Sequence, residues 1–250
     1  MIPEPIYLER TDSTNSVAYS MALKGAMQGT AVIAGEQTEG RGRLGKQWYS
    51  PAGKGLYCSL ILRPNLSVEE YPLMTMCCGL AVVLALEYLC HIPFGLKWPN
   101  DIYREDRKCG GILVESSPLN NHRTERFAVV GCGINVTTRH HEFGPELRGR
   151  ATSLWLACGR EIDQRELFEA LRARILEQVN RLEQQGFAPV LEEWCQRDIL
   201  IGRRLQWVTQ AKEVVSGVSL GPDEVGRLHI RDDEGRDHEV LSGEITLAER

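Results

Sequence analysis

Apolar residues recur at helical spacing in the second half of the chain. Between about residues 164 and 185 they stand three or four positions apart and predict an amphipathic helix, with apolar positions at Leu167, Leu171, Ile175, Val179 and Leu182. A second helix is predicted at about 188–197. A third is predicted at 12–26, where capping residues precede helix formers and Gly25 ends the run.

The most apolar stretch, residues 71–89, predicts a helix buried in the protein core. Its uninterrupted apolar run is shorter than the ~18 residues that a membrane-spanning helix needs, so no membrane span is expected. Ser67 and Glu70 have the spacing of a capping box at the start of this helix.

Short apolar runs bounded by glycine, proline or polar residues predict strands, at 30–35, 56–62, 95–98, 102–104, 111–115 and 127–130. After about residue 200 the helical period disappears. Five further short runs predict a small β-barrel, at 205–208, 213–215, 218–220, 225–230 and 239–241. We expect no internal repeat. The pattern therefore predicts an α+β fold, with a main domain over 1–198 and an all-β domain over 199–250.

The composition is that of an ordinary soluble globular protein. The 250 residues include 29 Lys and Arg against 34 Asp and Glu, a formal net charge of −5. This acidic balance argues against a dedicated nucleic-acid binder with a broad basic face. The eight cysteines lack metal-ligand spacing, and the first residues lack the pattern of a signal peptide. We therefore expect a cytoplasmic protein with reduced cysteines.

A basic, glycine-rich loop follows the strand predicted at 30–35. Residues 40–47, Gly-Arg-Gly-Arg-Leu-Gly-Lys-Gln, satisfy G-x-G-x-x-G and all but the last position of the P-loop pattern. Both motifs fail on context, because no helix follows to point its N terminus at a phosphate. The glycines still let backbone N–H groups approach an anion, and three cations stand among them: Arg41, Arg43 and Lys46. A solvated basic loop is the alternative, but the adjacent Trp48 favours a planar ligand.

Three other motifs carry polar residues beside apolar runs. They are Lys-Trp-Pro-Asn-Asp at 97–101 with Lys-Cys-Gly-Gly at 108–111, Gly-Cys-Gly-Ile-Asn at 131–135, and Asp-Ser-Thr-Asn at 12–15. Each alone has a structural explanation: a hairpin turn, a strand that ends in a glycine turn, and a helix N-cap worth about 1 kcal/mol. We expect no nucleophile elbow for a serine: the only G-x-S-x-G string, at 217–221, lies in the predicted all-β region and is not followed by a helix.

The fixed order of these motifs closely resembles that of the biotin–protein ligases (biotin–[acetyl-CoA-carboxylase] ligases), over nearly the whole chain. The resemblance implies a mixed-sheet catalytic domain related to class II aminoacyl-tRNA synthetases and lipoate ligases, and a small C-terminal SH3-like barrel. It also implies an activity. Biotin and ATP would give biotinyl-5′-AMP and pyrophosphate, and biotin would then pass to a lysine of a biotin carboxyl carrier protein domain.

The resemblance further implies roles for individual residues. Biotin contacts are expected at Ser13, Thr14, Asn15, Gln37, Arg41, Gly42, Arg43 and Lys108. ATP contacts are expected at Arg43, Lys46, Trp48, Asn100, Lys108 and Asn135. Because the attacking carboxylate and the α-phosphate are both anionic, Lys108 and Arg43 are expected to be catalytic. Mg²⁺ would neutralise the pyrophosphate, and Asp101 would position the metal or the lysine.

The sequence also departs from the family pattern. Bifunctional members carry an N-terminal DNA-binding domain, whereas the first motif here begins at residue 12, so we expect a monofunctional ligase that binds no nucleic acid. Many members have another arginine where Leu44 or Lys46 stands. Several have a tryptophan against adenine where Ala151 stands, and Trp155 is a candidate replacement.

Two other functions and one assembly remain open at this stage. A lipoate ligase has the same fold, but its Arg-Arg-x-Ser-Gly-Gly-Gly motif is absent. A non-catalytic biotin sensor is disfavoured because Arg43 and Lys108 are both present. Extension of the central sheet in a homodimer is a family tendency and is compatible with this chain.

Overall fold

The computed structural model describes residues 2–117, 126–208, 214–240 and 245–247. Within these ranges the chain forms a seven-stranded mixed sheet, a five-stranded antiparallel sheet and five α-helices. The predicted α+β class, with a mixed sheet and a separate small β-structure, is confirmed. The predicted strand ends at Glu213 and Leu241 lie outside the described residues.

The large sheet is built from the strands between residues 6 and 135. Its strands are β1 (Ile6–Thr11), β2 (Ala31–Gln37), β3 (Gly55–Leu62), β4 (Gly95–Lys97), β5 (Asp101–Arg104), β6 (Arg107–Ser116) and β7 (Ala128–Asn135). Their spatial order is β1-β2-β3-β7-β6-β5-β4, and only β1 and β2 pair in parallel. The predicted glycine turn after 127–130 is wrong, because Gly131 and Gly133 lie inside β7 and pair with β3.

The helices are α1 (Thr14–Leu23), α2 (Leu73–Cys90), α3 (Leu154–Cys158), α4 (Gln164–Gln185) and α5 (Ala188–Cys195). The helix predicted at 164–185 is confirmed, with Asp163 as its N-cap: the Asp163 carboxylate accepts the Glu166 N–H at 2.8 Å. Its apolar stripe packs on α2, which in turn covers the large sheet.

Helix α2 is the central core helix of the molecule. By length and composition it could cross a membrane, but 78% of it is buried within the fold, which confirms the predicted buried core helix. The predicted capping box is also wrong. The Ser67 N–H donates to Glu70 Oε2 at 2.7 Å, yet the helix begins only at Leu73, after Pro72. The Ser67–Glu70 pair therefore closes a turn that precedes the helix.

The small sheet contains β8 (Arg204–Val208), β9 (Val214–Pro222), β10 (Leu228–Asp232), β11 (Asp237–Val240) and β12 (Ile245–Leu247), in the order β11-β10-β9-β8-β12. Two predicted runs, 213–215 and 218–220, merge into the long β9. Leu205, Leu228 and Ile230 are fully buried and belong to the same apolar cluster as α2. The two sheets therefore share one core.

Two turns of the small sheet share the pattern D-x-x-G-R-x-H, at 223–229 and 232–238. In each turn the aspartate caps backbone N–H groups and accepts a hydrogen bond from the histidine. The His229–Asp223 and His238–Asp232 distances are 2.8 and 2.7 Å. The repeat is too short to be a structural domain, and it builds two equivalent hairpin turns.

Candidate active site

A cavity of about 580 Å³ opens beside β3, β6 and β7 of the large sheet. Thirteen residues for which the sequence predicts a role line it, all except Trp155: Ser13, Thr14, Asn15, Gln37, Arg41, Gly42, Arg43, Lys46, Trp48, Asn100, Asp101, Lys108 and Asn135. A volume of this size is typical of small-molecule sites. The structure thus gathers motifs from a helix, a loop, a hairpin and two strands around one space, while their roles toward a ligand stay predictions.

Buried polar side chains form one wall of the cavity at the start of α1. Gln37 Oε1 accepts hydrogen bonds from the N–H and the hydroxyl of Thr14, at 2.9 and 3.1 Å. The Ser59 hydroxyl lies 2.6 Å from Asn15 Oδ1 and 2.8 Å from Thr14 Oγ1. Ser13 stands at the N-cap position, but its side chain makes no capping hydrogen bond. The N-cap explanation of this motif is therefore wrong, and the residues form a fixed polar surface instead.

Two glycines inside β7 make room for side chains that reach the cavity. A Cβ on Gly133 would lie 2.5 Å from Trp48 Nε1, and a Cβ on Gly131 would lie 2.2 Å from Asn15 Oδ1. Only glycine fits at these distances, so the Trp48 indole lies directly against the sheet backbone. Trp48 Nε1 is buried and has no hydrogen-bond partner within the described residues. Since an unpaired buried donor costs about 1–3 kcal/mol, a ligand acceptor at this point would be favourable.

Two arginines of the glycine loop attach it to strand β6 and to the turn between β4 and β5. Arg41 Nη2 lies 2.9 Å from Glu115 Oε2, which also accepts a hydrogen bond of 2.7 Å from Asn15 Nδ2. Arg43 Nη1 donates to Asn100 Oδ1 at 3.3 Å. Both contacts are polar and partly exposed, so the loop is held without burying an apolar anchor.

Lys108 lies on β6 and lines the same cavity as the polar wall. Its Nζ is 2.6 Å from Asp101 Oδ1 and 5.4 Å from the centroid of the Trp48 ring. The Lys108 side chain is 31% exposed and lines the cavity. Burial lowers the pKa of the Arg43 guanidinium and the negative charge of Asp101 raises it, with a net lowering. An arginine so placed stays charged at neutral pH.

The cavity is strongly basic, in contrast to the acidic chain as a whole. Six basic residues line it, against two acidic ones: Arg41, Arg43, Lys46, Lys97, Lys108 and Arg150 against Asp101 and Glu146. Such a lining favours an anionic ligand. In the described part of the chain, no three His, Cys, Asp or Glu side chains are grouped to hold a metal ion.

Trp155 does not line the cavity, although the sequence suggested it as a replacement partner for adenine. Its ring lies under the guanidinium of Arg139, with 3.6 Å between the Arg139 Cζ and the ring centroid. Ala151, in contrast, does line the cavity. The suggestion that Trp155 takes the place of the family's adenine-stacking tryptophan is therefore wrong, because its indole packs against Arg139 outside the cavity.

Sequence reasoning missed two residues that organise the site. Ser59 is fully buried in the middle of β3 and joins Thr14 to Asn15. One polar residue in an otherwise apolar strand was the available signal. Glu115 ends the Gly-Gly-Ile-Leu-Val-Glu run and binds both Arg41 and Asn15. No local pattern indicates that role, because both partners are distant in sequence.

Known proteins resemble the chain over almost its full length. It is 34% identical to the bifunctional ligase/repressor BirA of Bacillus subtilis, over 97% of this chain and 73% of that protein. It is 31% identical to the biotin–[acetyl-CoA-carboxylase] ligase of Mycobacterium tuberculosis, over 94% of this chain and 86% of that protein.

A solved structure and a family model agree with these relatives. The biotin protein ligase from Aquifex aeolicus, in complex with biotin and ATP, superposes with a TM-score of 0.83 at 32% identity and covers all of both chains. Residues 7–135, just over half of the chain, match the model of the biotin/lipoate A/B protein ligase family. Sequence, fold and cavity therefore agree, and the chain belongs to the biotin/lipoate A/B protein ligase family.

Proposed function

We propose that the chain is a biotin–[acetyl-CoA-carboxylase] ligase. It activates biotin with ATP to biotinyl-5′-AMP and pyrophosphate, and then transfers the biotinyl group to a lysine amine. The observation that carries this proposal is one basic cavity that Lys108 and Arg43 line together with the buried polar side chains of Ser13, Thr14 and Asn15. Relatives named as biotin ligases, and a neighbouring structure that holds biotin and ATP, support the same substrates.

In the proposed first step, a biotin carboxylate oxygen attacks the α-phosphorus of ATP, and the bond to the pyrophosphate oxygen breaks. Two anions must approach, so the site has to offer cations that gain interaction as charge develops. Lys108 lines the cavity from β6, and Arg43 lines it from the loop. Thr14, Asn15 and Gln37 would hold the ureido ring of biotin by hydrogen bonds from a rigid wall.

The nucleotide is assigned to the other half of the cavity. Trp48 offers a flat ring and an unpaired N–H. Asn100 and Asn135 bring amide groups to the rim, while Lys46 and Lys108 add charge near the phosphates. In the second step the carrier lysine attacks the acyl carbon, and AMP leaves with its phosphate next to the same cations. One set of cations thus serves both steps.

Mg²⁺ fits this site as an ion that arrives with ATP. Magnesium sites in nucleotide enzymes commonly use one or two carboxylates together with phosphate oxygens and water. Asp101 and Glu146 are the carboxylates in the lining, and Asp101 is already 2.6 Å from Lys108 Nζ. When bound, the ion would neutralise charge on the pyrophosphate leaving group.

The proposal extends to partners and location. The acceptor would be a biotin carboxyl carrier protein domain, in keeping with a relative named biotin–[acetyl-CoA-carboxylase] ligase. A cytoplasmic location is supported by eight free cysteines, six of which are buried.

Residues 1–198 would be the catalytic domain, and 199–250 an appended barrel. A homodimer would use the edge of β6, which β5 covers only as far as Gly111.

Biotin-dependent ATP–pyrophosphate exchange with the purified chain tests the proposal. Exchange that requires biotin is the expected result, and subsequent labelling of a carrier domain completes the reaction. Exchange with lipoate in place of biotin would indicate a lipoate ligase. Biotin binding without any exchange would indicate a sensor, and either outcome contradicts the proposal.

A further inference from the structure

The turn between β9 and β10 reaches across to the large sheet. The indole Nε1 of Trp98 donates a hydrogen bond to the carbonyl oxygen of Gly226, at 2.9 Å. Trp98 is only 5% exposed. Gly226 has φ = +76°, and a Cβ on it would lie 3.0 Å from Leu73 Cδ2 and 3.3 Å from Met76 Sδ. The turn is therefore seated tightly between the Trp98 ring and the start of α2.

Trp98 belongs to the hairpin loop that carries two site residues. Asn100 and Asp101 follow it after Pro99, and Trp98, Asn100 and Asp101 all line the cavity. Asn100 is bonded to Ile112 of β6 through its backbone and its side chain, at 2.9 Å each. This loop is thus fixed on one side by β6 and on the other by the turn of the small sheet.

The same loop holds the two proposed catalytic cations. Asn100 Oδ1 accepts from Arg43 Nη1 at 3.3 Å, and Asp101 Oδ1 lies 2.6 Å from Lys108 Nζ. A shift of Trp98 would move both acceptors together. Misplacement of catalytic groups by about 1 Å can cost as much as about 100-fold in rate. The position of Gly226 is therefore mechanically connected to both cations.

We infer that Trp98 is a positioning residue, through which the β9–β10 turn sets the geometry of Arg43 and Lys108 for adenylate formation. This inference rests on the proposed function. It assigns to the small sheet a part in the first half-reaction, although none of its residues line the cavity among those that the structure describes. The connection is one hydrogen bond supported by close packing.

The second repeat of D-x-x-G-R-x-H supplies a matched control. Gly235 occupies the same place in its turn as Gly226, with φ = +80°, and its N–H bonds to Asp232 as that of Gly226 bonds to Asp223. A Cβ on Gly235 would meet nothing within 4 Å. Alanine strains the backbone equally at both positions. Only at Gly226 would it also push the turn away from Trp98.

The experiment compares W98F, G226A, the double variant and G235A with the wild-type chain in biotin-dependent pyrophosphate exchange. Substitution W98F keeps an aromatic ring and removes the N–H donor. We expect W98F and G226A to raise the KM for ATP about five- to tenfold, with a smaller change in the KM for biotin, because the cations act on the phosphates. G235A should exchange at the wild-type rate, and thermal melting should show all four variants folded.

The double variant decides whether the two residues act through one contact. If they do, its loss of exchange is about that of the stronger single variant rather than the product of both. Wild-type kinetics in W98F and G226A would overturn the inference, as would an equal loss in G235A or multiplicative losses in the double variant. A wild-type chain without exchange would contradict the proposed function instead, so the two failures are distinguishable.

Discussion

At the scale of single residues, the pair of Lys108 and Asp101 decides how the cavity is prepared for an anion. The two side chains are 31% and 21% exposed, with 2.6 Å between their charged atoms. Asp101 orients the ammonium in the absence of other anions. A phosphate or carboxylate can then compete for the remaining N–H donors of Lys108, so the site needs no large rearrangement to receive one.

The first prediction concerns Lys108. Substitution K108A should lower biotin-dependent pyrophosphate exchange by at least about 100-fold, because a donor that stabilises developing charge is lost. Circular dichroism and melting temperature should stay close to wild type, since the side chain is partly exposed. The neighbouring R107A, whose guanidinium contacts Glu105 outside the cavity, is the control and should keep full activity. Near-normal exchange in K108A would refute its catalytic role.

The second prediction concerns Glu115, which binds Arg41 and Asn15 at once. E115Q keeps the size of the side chain and removes the charge that holds the glycine loop. We expect the KM for biotin to rise about three- to tenfold, because Arg41 loses its ionic partner and a neutral amide oxygen is a weaker acceptor for both Arg41 and Asn15. The melting temperature should change little, since partly exposed ion pairs contribute about 0–1 kcal/mol. E105Q, in an exposed pair, is the control, and an equal effect there would contradict the assignment.

At the scale of elements, the sequence predicted helices and strands correctly where burial of one face makes apolar residues recur at regular spacing. Helix α4 was predicted at its observed bounds, because one face packs on α2 and the other is solvated. Strand β1 was missed, since most of its side chains are exposed and show no alternation. Helix α3 was missed because five residues are too few to display a period.

The sequence predicted which residues form the candidate site, but not how they contact one another. Motif chemistry located the basic loop, the hairpin and the first helix, and thirteen predicted residues, all except Trp155, meet in one cavity. The contacts among these residues could not be predicted, because they form only when segments that are distant in sequence come together in the fold. Gly133 was interpreted as a turn residue, although it is glycine only because the indole of Trp48 lies on that strand.

The third prediction tests this close approach. G133A should displace Trp48 and reduce pyrophosphate exchange at least about tenfold, with a stability loss of about 1–3 kcal/mol from overpacking. Urea denaturation separates the two effects. G79A, in the middle of α2, is the control, because its Cβ would make an ordinary contact of 3.4 Å with Leu96. Equal exchange rates in the two variants would show that Trp48 does not depend on this glycine.

The fourth prediction concerns the hairpin turns of the small sheet. The pKa of Asp232 lies well below its usual range, mainly because the carboxylate accepts a hydrogen bond from His238. A carboxylate with a lowered folded pKa stabilises the fold above its unfolded pKa of about 3.9, and this contribution is lost as the pH falls below about 5. The melting temperature of D232N should therefore fall less than that of wild type between pH 7 and pH 3. An identical loss in both proteins would contradict the pairing.

At the scale of the whole molecule, the two sheets are joined by a common core. Leu205, Leu228 and Ile230 of the small sheet belong to one apolar cluster with α2 and Trp98. A shared core makes separate unfolding costly, because either part would expose the apolar surface of the other. The architecture thus favours cooperative behaviour in spite of two distinct sheets.

The fifth prediction follows from this common core. Calorimetry should show a single unfolding transition, with equal calorimetric and van't Hoff enthalpies. Near-ultraviolet and far-ultraviolet circular dichroism should report the same midpoint. Two resolved transitions would show that the small sheet melts independently, and would place the common core in doubt.

The seating of Gly226 between Trp98 and α2 has a practical consequence for anyone who wishes to shorten this enzyme. Excising the last fifty residues would leave an indole donor without its acceptor and would uncover Leu73 and Met76 at the head of the central helix. A truncated protein would then expose apolar surface beside the loop that carries Asn100 and Asp101. The small sheet therefore covers part of the protein core and cannot be removed without exposing it.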